Sequence, residues 1–261
     1  MTETLIQFKN VYKAFGPKVI MNNVSLDVYK GETLAVIGPS GTGKSTVLKL
    51  LIGLLKPDAG QIIIKGHDVT AYNENDWNEL RKDMGMVFQY SALFDFLDVG
   101  ENVAFGLRQH THKNEEEITA RVQELLAMVD LPGTEHSYPA ELSGGMKKRV
   151  SLARAIALNP EIVFYDEPTA GLDPITSTTV SELILKTKKT LGVTSLLVTH
   201  DMPSVFMAAD RVLMLNAGEI VFLGTVEEIK KSTIPLVQQF IGGEMLMEQA
   251  REKGAAGSES N

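Results

Sequence analysis

The chain has 261 residues, 44% hydrophobic and 22% charged, which excludes a wholly disordered, collagenous or coiled-coil protein. Lys plus Arg number 25 against 33 Asp plus Glu, a net charge of −8, so a bulk basic field for nucleic acid is excluded, though a local patch is not. Cysteine is absent, which removes disulfides and thiolate metal sites. No apolar run approaches the roughly 18 residues of a membrane span, and Met1 to Asn10 lacks the hydrophobic core of a secretory signal. The expectation is a cytoplasmic chain that reaches a membrane only through a partner.

In chain order, the first 35 residues predict short strands joined by turns at Gly16-Pro17 and Lys30-Gly31-Glu32. Thr33 to Ile37 is a compact apolar run before Gly38, the pattern of a buried strand. Lys44 to Leu55 is apolar on most sides and predicts a buried helix, ended by Lys56-Pro-Asp-Ala-Gly60. Gln61 to Lys65 predicts another strand. From Ser91 to Asn159 helical spacing dominates: Ile118, Val122, Leu125, Leu126 and Val129 share one face, and Ser143 opens a second helix. Strand signals return at Ile162 to Tyr165, Ser195 to Thr199 and Arg211 to Leu215, with a helix over Thr176 to Leu191. A hairpin turn at Asn216 to Glu219 leads into Ile220 to Leu223. Strands alternating with helices predict an α/β fold with a mostly parallel sheet covered on both faces. No internal repeat is present.

Gly38-Pro39-Ser40-Gly41-Thr42-Gly43-Lys44-Ser45-Thr46 matches the phosphate-loop pattern G-x-x-x-x-G-K-[ST], between an apolar strand and an apolar helix. Its glycines permit positive φ, so that backbone N–H groups can converge on a phosphate beside a helix N-terminus. Lys44 is the candidate for the β- and γ-phosphates and Ser45 for Mg²⁺. The loop by itself does not separate ATPase, GTPase, kinase and helicase. Ile162-Val-Phe-Tyr-Asp166-Glu167 is a buried strand ending in two carboxylates, at the end where open parallel sheets bind ligands. Successive side chains diverge, so Asp166 suits the Mg²⁺ shell and Glu167 a general base. The guanine-reading pattern Asn-Lys-x-Asp is missing, which argues against a GTP switch.

Leu142-Ser143-Gly144-Gly145-Met146 resembles the LSGGQ signature of ATP-binding cassette (ABC) ATPases, with methionine in its last position. With Phe15, Gln89, Asp173 and His200 in the family's order, the resemblance spans about residues 4–242. It implies a RecA-like P-loop NTPase core with an N-terminal antiparallel β subdomain and an inserted α-helical subdomain. The core would be split between 1–89 and 159–243, with the helical subdomain at 90–158 and a tail at 244–261. The resemblance also implies an ATPase that works as a head-to-tail homodimer, each signature closing on ATP bound by the other copy. Phe15 would stack on adenine with Ile20 beside it; Tyr12 is the rival, and either aromatic could equally be core. Gln89 would touch Mg²⁺ and the attacking water, His200 the γ-phosphate and Asp173 the opposite subunit. Ala170-Gly-Leu-Asp173 replaces the commoner Ser-Ala-Leu-Asp, which puts serine-dependent contacts in doubt. Lys147, Lys148 and Arg149 look like a nucleic-acid patch but are expected to line a solvated face.

Several local features resemble the branch serving Mla- and Mce-type phospholipid transporters: the signature with Met146, Phe88-Gln-Tyr-Ser-Ala-Leu-Phe94, Glu101-Asn-Val103, Leu107 to Thr111 and Asp173-Pro-Ile-Thr176. That resemblance implies a two-copy MlaE-like permease in the bacterial inner membrane, an MCE-domain periplasmic protein, and an ATPase peripheral on the inner face of that membrane. Some relatives bind a STAS-domain regulator, and no residue here speaks to one. Ala92, Leu93, Phe94, Phe96 and Leu97 form an apolar cluster, read as a groove for the permease or as core of the insert. Residues 244–261 end in small polar residues and are expected to be largely disordered, as a solvated extension rather than a frayed helix. The alternatives are another ABC importer or exporter, a soluble non-transport ABC ATPase, and a nucleotide-binding module without turnover.

Overall fold

The computed structural model describes residues 3–243; the tail expected at 244–261 lies outside them. Two long strands, β1 (Thr4–Phe15) and β2 (Lys18–Tyr29), pair antiparallel, and β4 (Ala59–Ile64) and β5 (His67–Asp68) extend them in the order β2-β1-β4-β5. The sequence foresaw several short strands here. One long ribbon forms instead because β1 changes register at several points and absorbs the irregularity as bulges.

A second, six-stranded sheet runs β10-β9-β3-β8-β7-β6. Its members are β3 (Thr33–Ile37), β6 (Met84–Val87), β7 (Ile162–Asp166), β8 (Thr194–Val198), β9 (Arg211–Asn216) and β10 (Glu219–Thr225). All pair in parallel except β10, which hairpins back onto β9. Alternation within each strand splits the core between the two faces. Ile162, Phe164, Leu196 and Val198 face the antiparallel sheet and helix α1 (Lys44–Leu51), whereas Val163, Tyr165 and Leu197 face the helical layer. Both faces are covered, so the strands read as unbroken apolar runs.

Helix α1 is shorter than its apolar pattern. It stops at Leu51 because Gly53 sits at φ 74, with the Trp77 indole against its Cα: an added Cβ would lie 2.3 Å from the ring. Trp77 belongs to α2 (Glu74–Arg81), which the apolar periodicity missed. Its signal was a capping box, in which Asn73 accepts from the Asp76 N–H and Asp76 accepts from the Asn73 N–H. Helices α3 (Val99–His110), α4 (Glu115–Met128) and α5 (Gly144–Ala155) pack over the sheet and join α6 (Pro174–Leu191). Each begins at a side-chain cap: Asp98, Asn114, Ser143 and Asp173. The core of the inserted helices is continuous with the sheet through Val87, Val163, Tyr165 and Leu197. Short helices α7 (Met202–Ala208) and α8 (Val226–Lys230) close the edge beside β9. Among the described residues, no helix is long and apolar enough to cross a membrane.

Candidate nucleotide site

The Gly38–Thr46 loop joins β3 to α1 at the C-terminal edge of the parallel sheet. Two glycines there are obligatory for space as well as for backbone angle. Gly38 lies at φ 142 with the Leu215 carbonyl where a Cβ would go, and Gly43 lies at φ 103 with the Ile20 γ2 methyl 2.6 Å from the Cβ position. α1 differs from the capped helices: Gly43 supplies no side-chain cap, and the first turn carries no acidic residue. Its N-terminal N–H groups therefore face the loop with their partial positive charge uncompensated, the arrangement that binds phosphate. The Lys44 ammonium arches back over the loop to the carbonyls of Gly38 at 2.7 Å and Pro39 at 3.1 Å, and the Thr42 hydroxyl donates to Pro39 at 2.8 Å. Ser40 and Gly41 are exposed and Thr46 is half-buried.

Strand β7 delivers the acids. The Ser45 hydroxyl lies 3.4 Å from the Asp166 carboxylate. Burial, then the charge of Glu167, pushes the Asp166 carboxyl above its ordinary range, partly opposed by Ser45. A carboxylate in that condition gains from a cation placed beside it. Hydroxyl, carboxylate and the Gln89 carboxamide are hard oxygen donors, the kind Mg²⁺ takes in ones and twos beside substrate phosphates. Glu167 leaves the strand at φ 49, a left-handed angle made less comfortable by the proline that follows. Its N–H donates to the Val198 carbonyl at 2.8 Å, and its carboxylate meets His200 Nδ1 at 2.9 Å. His200 follows β8, so adjacent parallel strands bring this pair together. Gln89 is exposed, two residues beyond β6.

The signature caps α5. Leu142 is buried, Ser143 and Gly144 are exposed, and the Ser143 hydroxyl accepts from the Met146 N–H at 3.2 Å. Gly145 packs on Thr176, whose γ2 methyl would lie 2.3 Å from an added Cβ. Thr176 in turn donates to Asp173, from its N–H at 3.0 Å and its hydroxyl at 2.5 Å. Signature and Asp173 are thus joined within one chain, a contact that only tertiary structure reveals. Thr169 and Ser204 both donate to the carboxylate of Asp201, which ties the segment after Glu167 to the one after His200.

Several expectations change. Phe15 is 48% exposed and open for stacking, with Lys13 Nζ 5.4 Å from its ring, while Tyr12 is half-buried. Ile20 is 8% exposed and packs beneath Gly43, so it shapes the loop from below instead of lying open beside a base. Lys148 is not solvated: it is 5% exposed. Leu93 packs into the helical core, whereas Phe96 is 78% exposed. Phe94 sits between them, its ring 5.0 Å from Phe105 and 5.8 Å from Phe96. Phe94, Phe105, Phe88, Met86, Ala92 and Leu158 line a groove of about 340 Å³.

Two residues to which the sequence assigns no individual role support that groove. Asn102 is fully buried; its amide donates to the carbonyls of Phe94, Leu97 and Asp98, and its oxygen accepts from the Phe94 N–H. Arg154 donates to the carbonyls of Ser91 at 2.8 Å and Ala92 at 2.7 Å and lies over the Phe94 ring.

The ABC transporter family model matches residues 21–170. The chain is 44% identical to the Arabidopsis thaliana protein TRIGALACTOSYLDIACYLGLYCEROL 3, chloroplastic, over 94% of this chain and 75% of that protein. It is 42% identical to the probable ribonucleotide transport ATP-binding protein mkl of Mycobacterium tuberculosis, over 91% and 66%. It is 41% identical to the intermembrane phospholipid transport system ATP-binding protein MlaF of Haemophilus influenzae, over 94% and 92%. Among solved structures, a dimeric ATP-binding cassette in a post-hydrolysis state with ADP and Pi superposes with a TM-score of 0.78 at 33% identity, over 85% of this chain and 99% of that one. The chain belongs to the ABC transporter family. Within it, this is an ATP-binding cassette subunit, an ATPase coupled to transport.

Proposed function

We propose that two copies of this chain close head to tail on two ATP molecules and drive a membrane permease that moves phospholipid between membranes. The observation that carries the catalytic part is the convergence of Ser45 on Asp166 and of Glu167 on His200 beside the phosphate loop. The similarity to MlaF over nearly the whole of both chains supports the cargo, and the dimeric ADP-bound relative supports the pairing.

The chemistry follows from charge. Loop N–H groups, the α1 N-terminus and Lys44 neutralise the phosphate tail and stabilise the charge that develops in the transition state. Glu167, oriented by His200, accepts the proton as water oxygen bonds to the γ-phosphorus. The bond from that phosphorus to the β,γ-bridging oxygen breaks, releasing ADP and inorganic phosphate. Ser45, Asp166 and Gln89 would hold Mg²⁺, which would supply charge neutralisation to the phosphate tail. Ser143 and the N–H groups of Gly144 and Gly145 on the partner would cap the γ-phosphate from the other side, with Met146 and Leu142 supporting that turn. Asp173 would meet the partner across the two-fold axis. The groove lined by Phe94, with the exposed Phe96 nearby, would receive the permease and would put the cassette on the cytoplasmic face of the inner membrane, with an MCE-domain protein completing the assembly outside.

The test is Glu167→Gln in the permease complex. A positioned general base is worth about 10²- to 10⁴-fold, so this variant binds ATP, dimerises and loses turnover by at least the lower figure. Turnover near that of the unmodified protein would remove Glu167 from the mechanism. Flux of labelled phospholipid through the reconstituted complex tests the cargo; ATP-dependent movement of ribonucleotide without phospholipid would favour the chemistry named for the mycobacterial relative.

A further inference from the structure

One buried cation has no place in the reaction described above. Lys148 lies on α5, five residues after Ser143, and is 5% exposed, unlike its half-exposed neighbours Lys147 and Arg149. A buried ammonium normally pairs with a carboxylate, because desolvating an unpaired charge is costly. Lys148 instead donates to two peptide carbonyls, those of Gln89 and, at 3.3 Å, Glu167. Burial pulls its pKa down, and the charges of Glu167 and Asp166 oppose that shift.

The choice of carbonyls is informative. Gln89 O lies two residues beyond β6, next to the groove-lining Phe88, and Glu167 O belongs to the peptide that leaves β7 in the left-handed conformation before Pro168. That angle is sparsely populated for a residue with a side chain and persists only where surroundings enforce it. Lys148 is one such enforcement, since its N–H fixes which way the Glu167–Pro168 carbonyl points and so the direction of the Glu167 side chain. The anchor of the clamp is the signature helix. Five residues of α-helix span about 7.5 Å and behave as a rigid piece, so movement of the Ser143 end reaches Lys148 undiminished.

We infer that Lys148 is a positioning residue, whose ammonium fastens the Gln89 and Glu167 peptides to the signature helix so that the base of one ATP site is aligned by the helix that caps the other. The inference rests on the roles proposed for Glu167, Gln89 and the signature. It makes alignment of the chain's own base depend on where its α5 sits, and thereby links the two hydrolysis sites of a dimer through one side chain per copy.

The experiment uses the whole permease complex and compares Lys148→Met, similar in length and uncharged, with Lys148→Arg and Glu167→Gln. Misplacing a catalytic group by about an ångström is worth up to roughly a hundredfold. The expected result for Lys148→Met is a kcat lowered by about tenfold to a hundredfold, with KM for ATP and the melting temperature little changed. Lys148→Arg, which keeps charged donors, recovers a substantial part of kcat. A Lys148→Met kcat within about twofold of the unmodified complex, with Glu167→Gln inactive, overturns the inference and leaves the site reading standing. So does a variant that loses KM and melting temperature along with kcat and is not rescued by arginine, which marks a purely structural lysine. An active Glu167→Gln overturns the site reading itself. Should Lys148→Met not fold, Lys148→Gln, which keeps two N–H donors at shorter reach, takes its place under the same criteria.

Discussion

Gly145→Ala is the sharpest perturbation the site offers. Gly145 is helical, so alanine meets no backbone penalty, and the substitution gains something less than the ~1 kcal/mol it would bring in a helix interior. Against that, the new methyl would lie 2.3 Å from the γ2 carbon of Thr176. Thr176 cannot swing away freely, since its hydroxyl is bonded to Asp173 at 2.5 Å. One extra methyl forced into a packed contact costs ~1–3 kcal/mol, and with a helix gain of about 0.5 kcal/mol the net loss is about 0.5–2.5 kcal/mol. For a chain of this size that lowers the melting temperature by roughly 1–10 °C. ATPase activity falls with it, because the clash displaces both the signature and the loop holding Asp173. The obstructing atom is a methyl and not the hydroxyl, so Thr176→Ser in the same chain removes the clash while keeping the bond to Asp173. The double variant should regain its melting temperature and most of its ATPase rate. Calorimetry and a phosphate-release assay on the single and double variants decide the matter. A Gly145→Ala protein as stable and active as its parent refutes the packing argument, and so does a double variant no better than the single one.

Phe96→Glu should leave the melting temperature unchanged, because the ring is 78% exposed, yet lower copurification with the permease and permease-stimulated ATPase; unfolding of that variant would make Phe96 part of the core. Phe94→Glu, by contrast, should destabilise the fold, because it removes the half-buried ring from its packing against Phe105 and Phe96 and sets a charge against those rings, a loss that the nearby Arg154 offsets only in part. Asp58 accepts from Lys13 and from the Ala14 N–H, which hold its carboxyl below the usual range of 3.8. A depressed acid contributes stability above its unfolded pKa and loses it as pH falls through the folded value. Asp58→Asn should therefore be less stable than the parent near neutrality, with the gap closing below about pH 4; a gap constant in thermal melts from pH 7 to pH 3 would show that the carboxylate charge plays no part.

Much of this arrangement is legible in the sequence because local chemistry fixes it. Gly38 to Thr46 announces itself through glycines that no other residue could replace, and β3 and β7 through apolar runs that only two covered faces explain. Ser143 signals the start of α5 by being the sort of residue that caps. The missed parts are those decided by distant neighbours. The end of α1 is set by an indole 24 positions along the chain, and Ile20 is carried under the phosphate loop by strand pairing. The charges of Lys147, Lys148 and Arg149 look alike in sequence; helical rotation against β6 and β7 alone selects Lys148 for burial. The start of α2 is marked in the chain only by the capping box at Asn73, because its surface is polar and carries no apolar stripe.

The way Arg154 and Asn102 hold the stretch from Ser91 to Asp98 bears on how such a protein changes partners. Every hydrogen bond they make there is to the main chain. The inward side chains Leu93 and Phe94 are tied into the packing, but the outward Phe96 is not part of what holds the stretch in shape, much as a picture frame is indifferent to the picture. If the permease docks there as proposed, a residue such as Phe96 can be exchanged through evolution without redesigning its support, and one engine can be refitted to a different membrane machine by repainting a few positions.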